Sequence, residues 1–317
     1  MSKKGAIATV KARPAATWAD AGKIFESFLG DCAEGTRRAY ISDLGDLAGF
    51  LAADSPGAAL ETILKAGPQG AFKLVTDYKA ELGTRGLAPA TVNRRLASLR
   101  SFIKFANAAG LVAWTLGVKN VKAETYRDTR GPGAAGVQLM LTALRGRTNK
   151  KAIRDRAIIR LLYDLSLRRA EVAALDLADV DLDRPAVKIK GKGRREKESR
   201  TLAEPTAEVL RLWLAVRGDA PGPVFTNFDR AGKGKRLTGT AIYYLVTGLG
   251  ELAGIKVTPH GLRHAGITES LDRSGGDIRA AQKYSRHRKL DTLLIYDDTR
   301  RDLAGEMARK VAASVTT

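Results

Sequence analysis

"TPHGLRHAGI" (258–267) brings two histidines, His260 and His264, within five positions of each other with Arg263 between them. The chain of 317 residues has three histidines in all, and the third, His287, follows a short way on. Pro259 suits the first turn of a helix, so His260 and Arg263 are expected at a helix N-terminus. Exposed backbone N–H groups at such a terminus favour an anion. The i,i+4 spacing of His260 and His264 also suits zinc. However, the zinc-protease pattern needs Glu after the first His, and Gly261 stands there. A third ligand would have to be His287 or a distant carboxylate. For His264 a structural place in the helix is the simpler role. The rest of the chain has to choose between a metal site and a phosphate-handling site.

Composition favours phosphate. Lys and Arg number 54 against 34 Asp and Glu, a net charge of +20 with a pI near 10.2. A surplus of that size implies a polyanionic partner, and nucleic acid is the simplest one. Apolar residues make up 44% of the chain, enough for folded cores, and the length suits two ordinary domains. The single cysteine, Cys32, excludes an internal disulfide and a Cys-rich zinc module. No apolar run approaches the length of a membrane span. The opening "MSKKGAIATVKARPAAT" (1–17) is basic and lacks the apolar core of a secretory signal. Residues 1–16 therefore read as a basic tail, and the expected compartment is the cytoplasm, at the nucleoid.

Working outward, residues 17–112 carry a helical pattern broken at "ADSPGAA", "KAGPQGA" and "GTRGLAPA". In "TVNRRLASLRSFIKFANAAG" (91–110), Val92, Leu96, Leu99, Ile103 and Ala106 share one face, expected in a core. Arg94, Ser98 and Ser101 fall opposite with Arg95 on the flank, either as a solvated face or as a DNA face. Thr91 and Gly110 are the expected caps. Residues 113–135 lose the apolar periodicity and gain charge, Gly and Pro, which reads as an interdomain linker over 113–130 with the boundary near Arg130. A second domain is expected over 131–317. "LLYDLSLRRAEVAALDLADVDLD" (161–183) reads as an apolar helix interrupted by Arg168, Arg169 and Glu171, in isolation a surface ion pair. "PAVKIKGKGRREKESRTLAEP" (185–205) alternates with period two around a Gly-containing turn, as a hairpin does. Lys188, Lys190 and Lys192 then share one side of a strand, and from Arg184 to Arg200 eight Lys/Arg face two Glu. Helices are expected from Glu204 onward. "KYSRHRKLDTLLIYDDT" (283–299) sets Tyr296 nine residues after His287. There Asp291 is a candidate cap, and Leu290, Leu293 and Leu294 are the expected buried side of a short helix.

Each stretch alone is weak, but their order is specific. The chain resembles the tyrosine recombinases, the family of phage integrases and Xer-type recombinases. "SLRRAE" matches the first arginine box, "GKG" the hairpin lysine, "HGLRH" the second box and "H…LDTLLIY" the nucleophile segment. "GTRRAYISDLGDLAGFLA" and "LAPATVNRRLASLRSFIKFANAAGL" are similar to the family's helical core-binding domain, so the resemblance spans roughly residues 17–300. It implies a mainly α fold with a small β-hairpin sheet. A helical core-binding domain precedes an α+β catalytic domain, and the two make a DNA clamp.

Carried over position by position, the resemblance implies Arg168, Lys192, His260, Arg263 and His287 around a scissile phosphate, with Tyr296 as nucleophile. Arg169 competes with Arg168, and the acidic residue three positions on, Glu171, selects Arg168 and supports a basic neighbour. Arg37, Arg38, Arg94, Arg95, Ser98, Lys188, Lys190 and Arg194 are the expected DNA contacts. The chemistry is consistent. A tyrosine hydroxyl with a pKa of about 10 needs surrounding positive charge to attack. Arginines grip the non-bridging oxygens bidentately. His287 donates to the developing charge, His260 assists proton transfer, and Lys192 protonates the leaving 5′-hydroxyl. Double-stranded DNA is the implied partner, with no cofactor and no metal. "RRDLAGEMARKVAASV" (300–315) places Leu303, Met307, Val311 and Val315 at near-helical spacing. In the family such a tail docks on a neighbouring protomer in a tetramer, and an accessory DNA-bending protein is a further expected partner. The competing functions are a type IB topoisomerase-like relaxase and an inactive DNA-binding protein of the same fold. Two departures stand out. Ser166 occupies a position where the family usually has Gly, and Ser285–Arg286 stand where Leu–Gly is usual. Arg286 is therefore expected to disturb the placement of His287.

Overall fold

The computed structural model of the chain describes residues 21–122, 131–191, 196–230, 232–287, 290, 293 and 303–315. It divides into two compact units, Met1–Tyr126 and Arg127–Thr317. The described residues are mainly helical, with a small antiparallel sheet, as expected. Among them no helix is long and apolar enough to cross a membrane.

The first unit contains α1 (Ala21–Gly30), α2 (Glu34–Phe50), α3 (Pro56–Lys65), α4 (Gly67–Thr84) and α5 (Pro89–Ala108). Proline opens α3 and α5 where an intrahelical N–H partner is missing anyway. Ser55 caps α3 by accepting from the Ala58 amide at 3.1 Å. The core joins Leu44 and Leu47, Leu60 and Ile63, Val75 and Tyr78, and the α5 stripe Val92, Leu96, Leu99, Ile103 and Ala106. That stripe is the one read from periodicity. The cap is not: α5 begins at Pro89 after Ala88, two residues before Thr91, because proline needs no amide partner. Gly110 does follow the helix at φ +77°, where a Cβ would be strained.

The linker expectation is also corrected. Residues 113–121 belong to the first unit, where Leu116 and Val118 are buried in its core together with Val112. The backbone there has no helix or strand, so side chains satisfy it. Asn93 exchanges two hydrogen bonds with Val121, donating to its carbonyl at 2.9 Å and accepting from its amide at 2.8 Å. Asn107 donates to the carbonyls of Val112 and Trp114, and Arg100 to that of Val118. Periodicity cannot reveal such a strap, since its order comes from α5 beneath it. Residues 123–130 lie outside the described residues, as do residues 1–16.

The second unit begins with α6 (Gly133–Ala143), α7 (Lys150–Asp164) and the short α8 (Arg169–Ala174). Where one helix was expected over 161–183, the chain breaks at Leu165–Arg168, and Ser166 adopts φ +43°. A three-stranded antiparallel sheet follows: β1 (Val180–Asp181), β2 (Ala186–Lys190) and β3 (Lys197–Thr201), in that order. Val187 pairs with Arg200 and Ile189 with Glu198. Val187 and Ile189 turn inward while Lys188 and Lys190 are exposed, as the alternation requires. Then come α9 (Glu204–Arg217), α10 (Gly239–Leu252), α11 (Pro259–Arg273), α12 (Ile278–Ser285) and α13 (Leu303–Ala313). Between α9 and α10 the described residues, 218–230 and 232–238, are irregular rather than helical, pinned by Trp213 donating to the Val224 carbonyl and by bridges at Thr226–Arg236 and Asn227–Lys233. The core gathers Ile158, Leu161 and Leu162 of α7, Trp213 of α9, Phe225, Ile242 and Val246 of α10, and Leu262 of α11. Leu293 is buried as expected, whereas Leu290 is exposed.

Candidate active site

Thr258 caps α11 by accepting from the Gly261 amide at 3.1 Å, which starts the helix where the sequence suggests. His260 in the first turn is exposed, and Arg263 one turn on is only 2% exposed. The buried guanidinium of Arg263 is held by backbone. It donates to the carbonyl of Ser166 and, at 2.6 Å, to that of Ser285. It thereby joins the α7–α8 break to the end of α12. Its Nη2 also lies 3.5 Å from His287 Nε2. The approach of α11 to α7 depends on Gly266, whose Cβ would sit 2.4 Å from the Tyr163 carbonyl oxygen. Tyr284 locks the same junction by donating to the carbonyls of Tyr163 and Asp164.

Arg168 is the N-cap of α8. Glu171 accepts from it twice, its Oε2 from the Arg168 amide at 2.7 Å and its Oε1 from Arg168 Nη1 at 2.9 Å. Arg286 donates to the same Oε2 at 2.7 Å. Burial would raise the Glu171 pKa, but Arg286 and the hydrogen bonds from Arg168 outweigh it, so the group is held below its usual value. Arg169 points away, its guanidinium 5.8 Å from the centre of the Tyr243 ring. Of the two neighbouring arginines, only Arg168 shares the setting of Arg263.

His287 follows α12, and its pKa is pushed down to about 4. Partial burial is the main cause, reinforced by Arg263, Arg168, His260 and Arg286. Four cationic or basic groups, two on α11, one at the start of α8 and one at the end of α12, thus crowd one imidazole. His264 lies 2.5 Å from His260, Nε2 to Nε2, and its pKa is pushed to about 3, chiefly by burial and then by His260 and Arg263. The His264 and His287 rings are neutral at pH 7, which is how a histidine serves as a hydrogen-bond donor without added charge. Among the described residues no cluster of three or more His, Cys, Asp or Glu is placed to hold a metal.

The structure therefore brings Arg168, Glu171, His260, Arg263 and His287 together. Lys192, Arg194 and Tyr296 lie outside the described residues. Of the expected DNA contacts, Lys188, Lys190, Arg37, Arg38 and Arg94 are exposed. Arg37 donates to the Leu29 carbonyl, Arg38 pairs with Glu34 one turn back, and Arg94 pairs with buried Asp43. Two expectations are corrected. Ser98 is completely buried, its hydroxyl donating to the Arg95 carbonyl, because α2 packs over that side of α5. Arg95 turns inward to Asp46 at 2.5 Å, its side chain 14% exposed, and Asp46 also receives Tyr78 and Arg85. A flank residue beside a packed neighbour becomes part of the packing. The sequence reading also missed Arg286 as a partner of Glu171. Its signal was present as a non-glycine at a glycine position, read there only as a disturbance.

Comparison with known proteins agrees with this geometry. Residues 135–302 match the phage integrase family, and residues 27–110 match the phage integrase N-terminal SAM-like domain. The chain is 40% identical to a tyrosine recombinase of Synechocystis sp. over 271 residues, 84% of this chain and 86% of the relative. It is 36% identical to a tyrosine recombinase of Synechococcus elongatus over 315 residues, 97% of this chain and 98% of that one. Among solved structures, the Tn1549 transposon integrase in complex with circular intermediate DNA has a similar fold, with a TM-score of 0.64 at 14% identity, covering 92% of this chain and 98% of that one. XerH recombinase bound to its difH substrate after cleavage has a TM-score of 0.59 at 20% identity, covering 76% and 71%. With a family model matching more than half of its length and two relatives above 30% identity across most of it, this chain belongs to the phage integrase family of tyrosine recombinases.

Proposed function

We propose that the chain is a site-specific DNA recombinase that cleaves one strand, stores the bond as a 3′-phosphotyrosine on Tyr296, and passes it to another strand. The observation that carries this reading is the convergence of Arg168 and Arg263 on His287, with Glu171 bracing Arg168. Two guanidiniums in a partly dry site stabilise the extra negative charge of a pentacoordinate phosphate. A neutral His287 adds an N–H donor to the same oxygens, and His260, exposed at the N-terminus of α11, stands ready to move a proton. The Tyr296 oxygen forms its bond to phosphorus as the bond to the 5′-oxygen breaks, and Lys192 supplies the proton to that oxygen. The phosphodiester count is unchanged, so the step reverses with a new 5′-hydroxyl and consumes no ATP.

Double-stranded DNA is the partner. The net charge of +20 and exposed Lys188, Lys190 and Arg94 support phosphate-driven binding. The helix α13 and the turn after it leave Met307, Val311 and Val315 exposed, an apolar surface suited to a neighbouring protomer in a tetramer on DNA. An accessory bending protein and a cytoplasmic, nucleoid-associated setting complete the reading. The test is a nicked suicide duplex carrying DNA from beside the gene, incubated without added metal. Wild type is expected to form a covalent adduct on a denaturing gel and Tyr296→Phe none. Footprinted, specific binding of that DNA with no adduct would turn the reading toward a DNA-binding protein.

A further inference from the structure

Arg286 is the residue of the site whose presence the chemistry above does not use. It ends α12 in the left-handed conformation, φ +61°, where a residue other than glycine is strained. Its guanidinium is nevertheless buried, 5% exposed, against a Glu171 carboxylate that is 4% exposed. Placing a strained, charged side chain there is costly unless the charge matters locally. Its neighbour in sequence is His287, and its partner Glu171 is also the partner of Arg168.

Counting charge shows what it does. Glu171 and Arg168 alone form a neutral pair, so the carboxylate would cancel the positive charge meant for the phosphate. With Arg286 on Oε2, the three groups carry one net positive charge, and Oε2 is shared by Arg286 and the Arg168 amide. The Arg168 side chain keeps a single bond to Oε1 and remains about a third exposed, open to an incoming oxygen. Among the described residues Nε and Nη1 of Arg286 have no partner, so its charge is not spent on other acceptors.

We propose that Arg286 is a positioning residue that neutralises Glu171, so that Glu171 can orient Arg168 without cancelling its charge toward the scissile phosphate. This rests on the recombinase reading for its catalytic consequence, but not for the charge relay itself. Arg286→Gly removes the charge while relieving the backbone, so a merely structural Arg286 would leave activity equal or improved. The expected result is instead a drop of about tenfold or more in single-turnover adduct formation, smaller than the loss on deleting a direct oxyanion donor. Arg286→Gly/Glu171→Gln, which removes the unbalanced carboxylate, is expected to recover most of that loss. Should Arg286→Gly fail to fold, Arg286→Gln with and without Glu171→Gln makes the same comparison, with folding checked by thermal melting.

A second readout needs no DNA. The His287 ring is titrated by NMR in the free protein, where its midpoint is expected to rise in Arg286→Gly and return toward wild type in the double variant. If wild type makes no adduct on DNA that it binds, the recombinase reading fails and this titration still decides the role of Arg286. An adduct rate unchanged in folded Arg286→Gly, no recovery in the folded double variant, or an unmoved His287 midpoint would each overturn the proposal.

Discussion

Ser166 carries two local costs at once. Its φ of +43° is one that glycine adopts freely, and its hydroxyl is buried without a partner among the described residues. Its carbonyl, which a glycine would retain, is what Arg263 needs. Ser166→Gly is expected to stabilise the protein by about 1 kcal/mol, read as a rise in melting temperature. Gly266 is the opposite case. A methyl group there meets the Tyr163 carbonyl, so Gly266→Ala is expected to cost about 2–3 kcal/mol and to weaken adduct formation by moving α11 from α7. The histidines set the acid limit. The unfolded rings take up protons near pH 6.5, whereas His287 and His264 in the fold do so only near pH 4 and 3. Below pH 6.5 the unfolded state therefore binds more protons, and stability falls as the pH drops toward 4. Urea unfolding at pH 7 and pH 5 is expected to show that loss, diminished in His264→Gln.

At the scale of elements, the decisive features are breaks rather than helices. The chain between α7 and α8 leaves helical geometry for a few residues, which turns Arg168 into an N-cap and delivers the Ser166 carbonyl to Arg263. Apolar periodicity runs through this break, so the sequence reads as one helix while the structure has two. The strap over 113–121 shows the converse, order without periodicity. Because Asn93 supplies both partners for Val121, Asn93→Ala is expected to cost about 1–3 kcal/mol and to speed amide exchange along the strap with little change in α7 or α11. The hairpin needed no such correction, since two alternating runs around a turn have few other ways to pair.

At the scale of the molecule, each unit has its own core, and the charge surplus belongs to the chain as a whole. A fragment covering 21–122 is expected to melt cooperatively on its own, because its core includes the strap that a cut at residue 112 would remove. DNA affinity is expected to fall steeply with salt, the slope lessening by about one unit for each lost phosphate contact such as Lys188→Ala or Lys190→Ala. A slope unchanged in both variants would remove the hairpin from the DNA-binding face.

The sequence by itself determined the family, the helical class and the hairpin, and it singled out Arg168, Glu171, Arg263 and His287, which the fold brings close together. The α5 stripe was legible because burial of one helix face imposes a period on the chain. Only the tertiary structure decided which polar residues face inward. Ser98 and Arg95 sit beside Arg94 in one polar pattern, yet packing against α2 and the Asp46 cluster buries the first and turns the second inward. Only it showed Arg286 on Glu171, a contact between residues 115 apart in sequence. Local pattern records what each element prefers, whereas partners across such distances are set by how the elements pack.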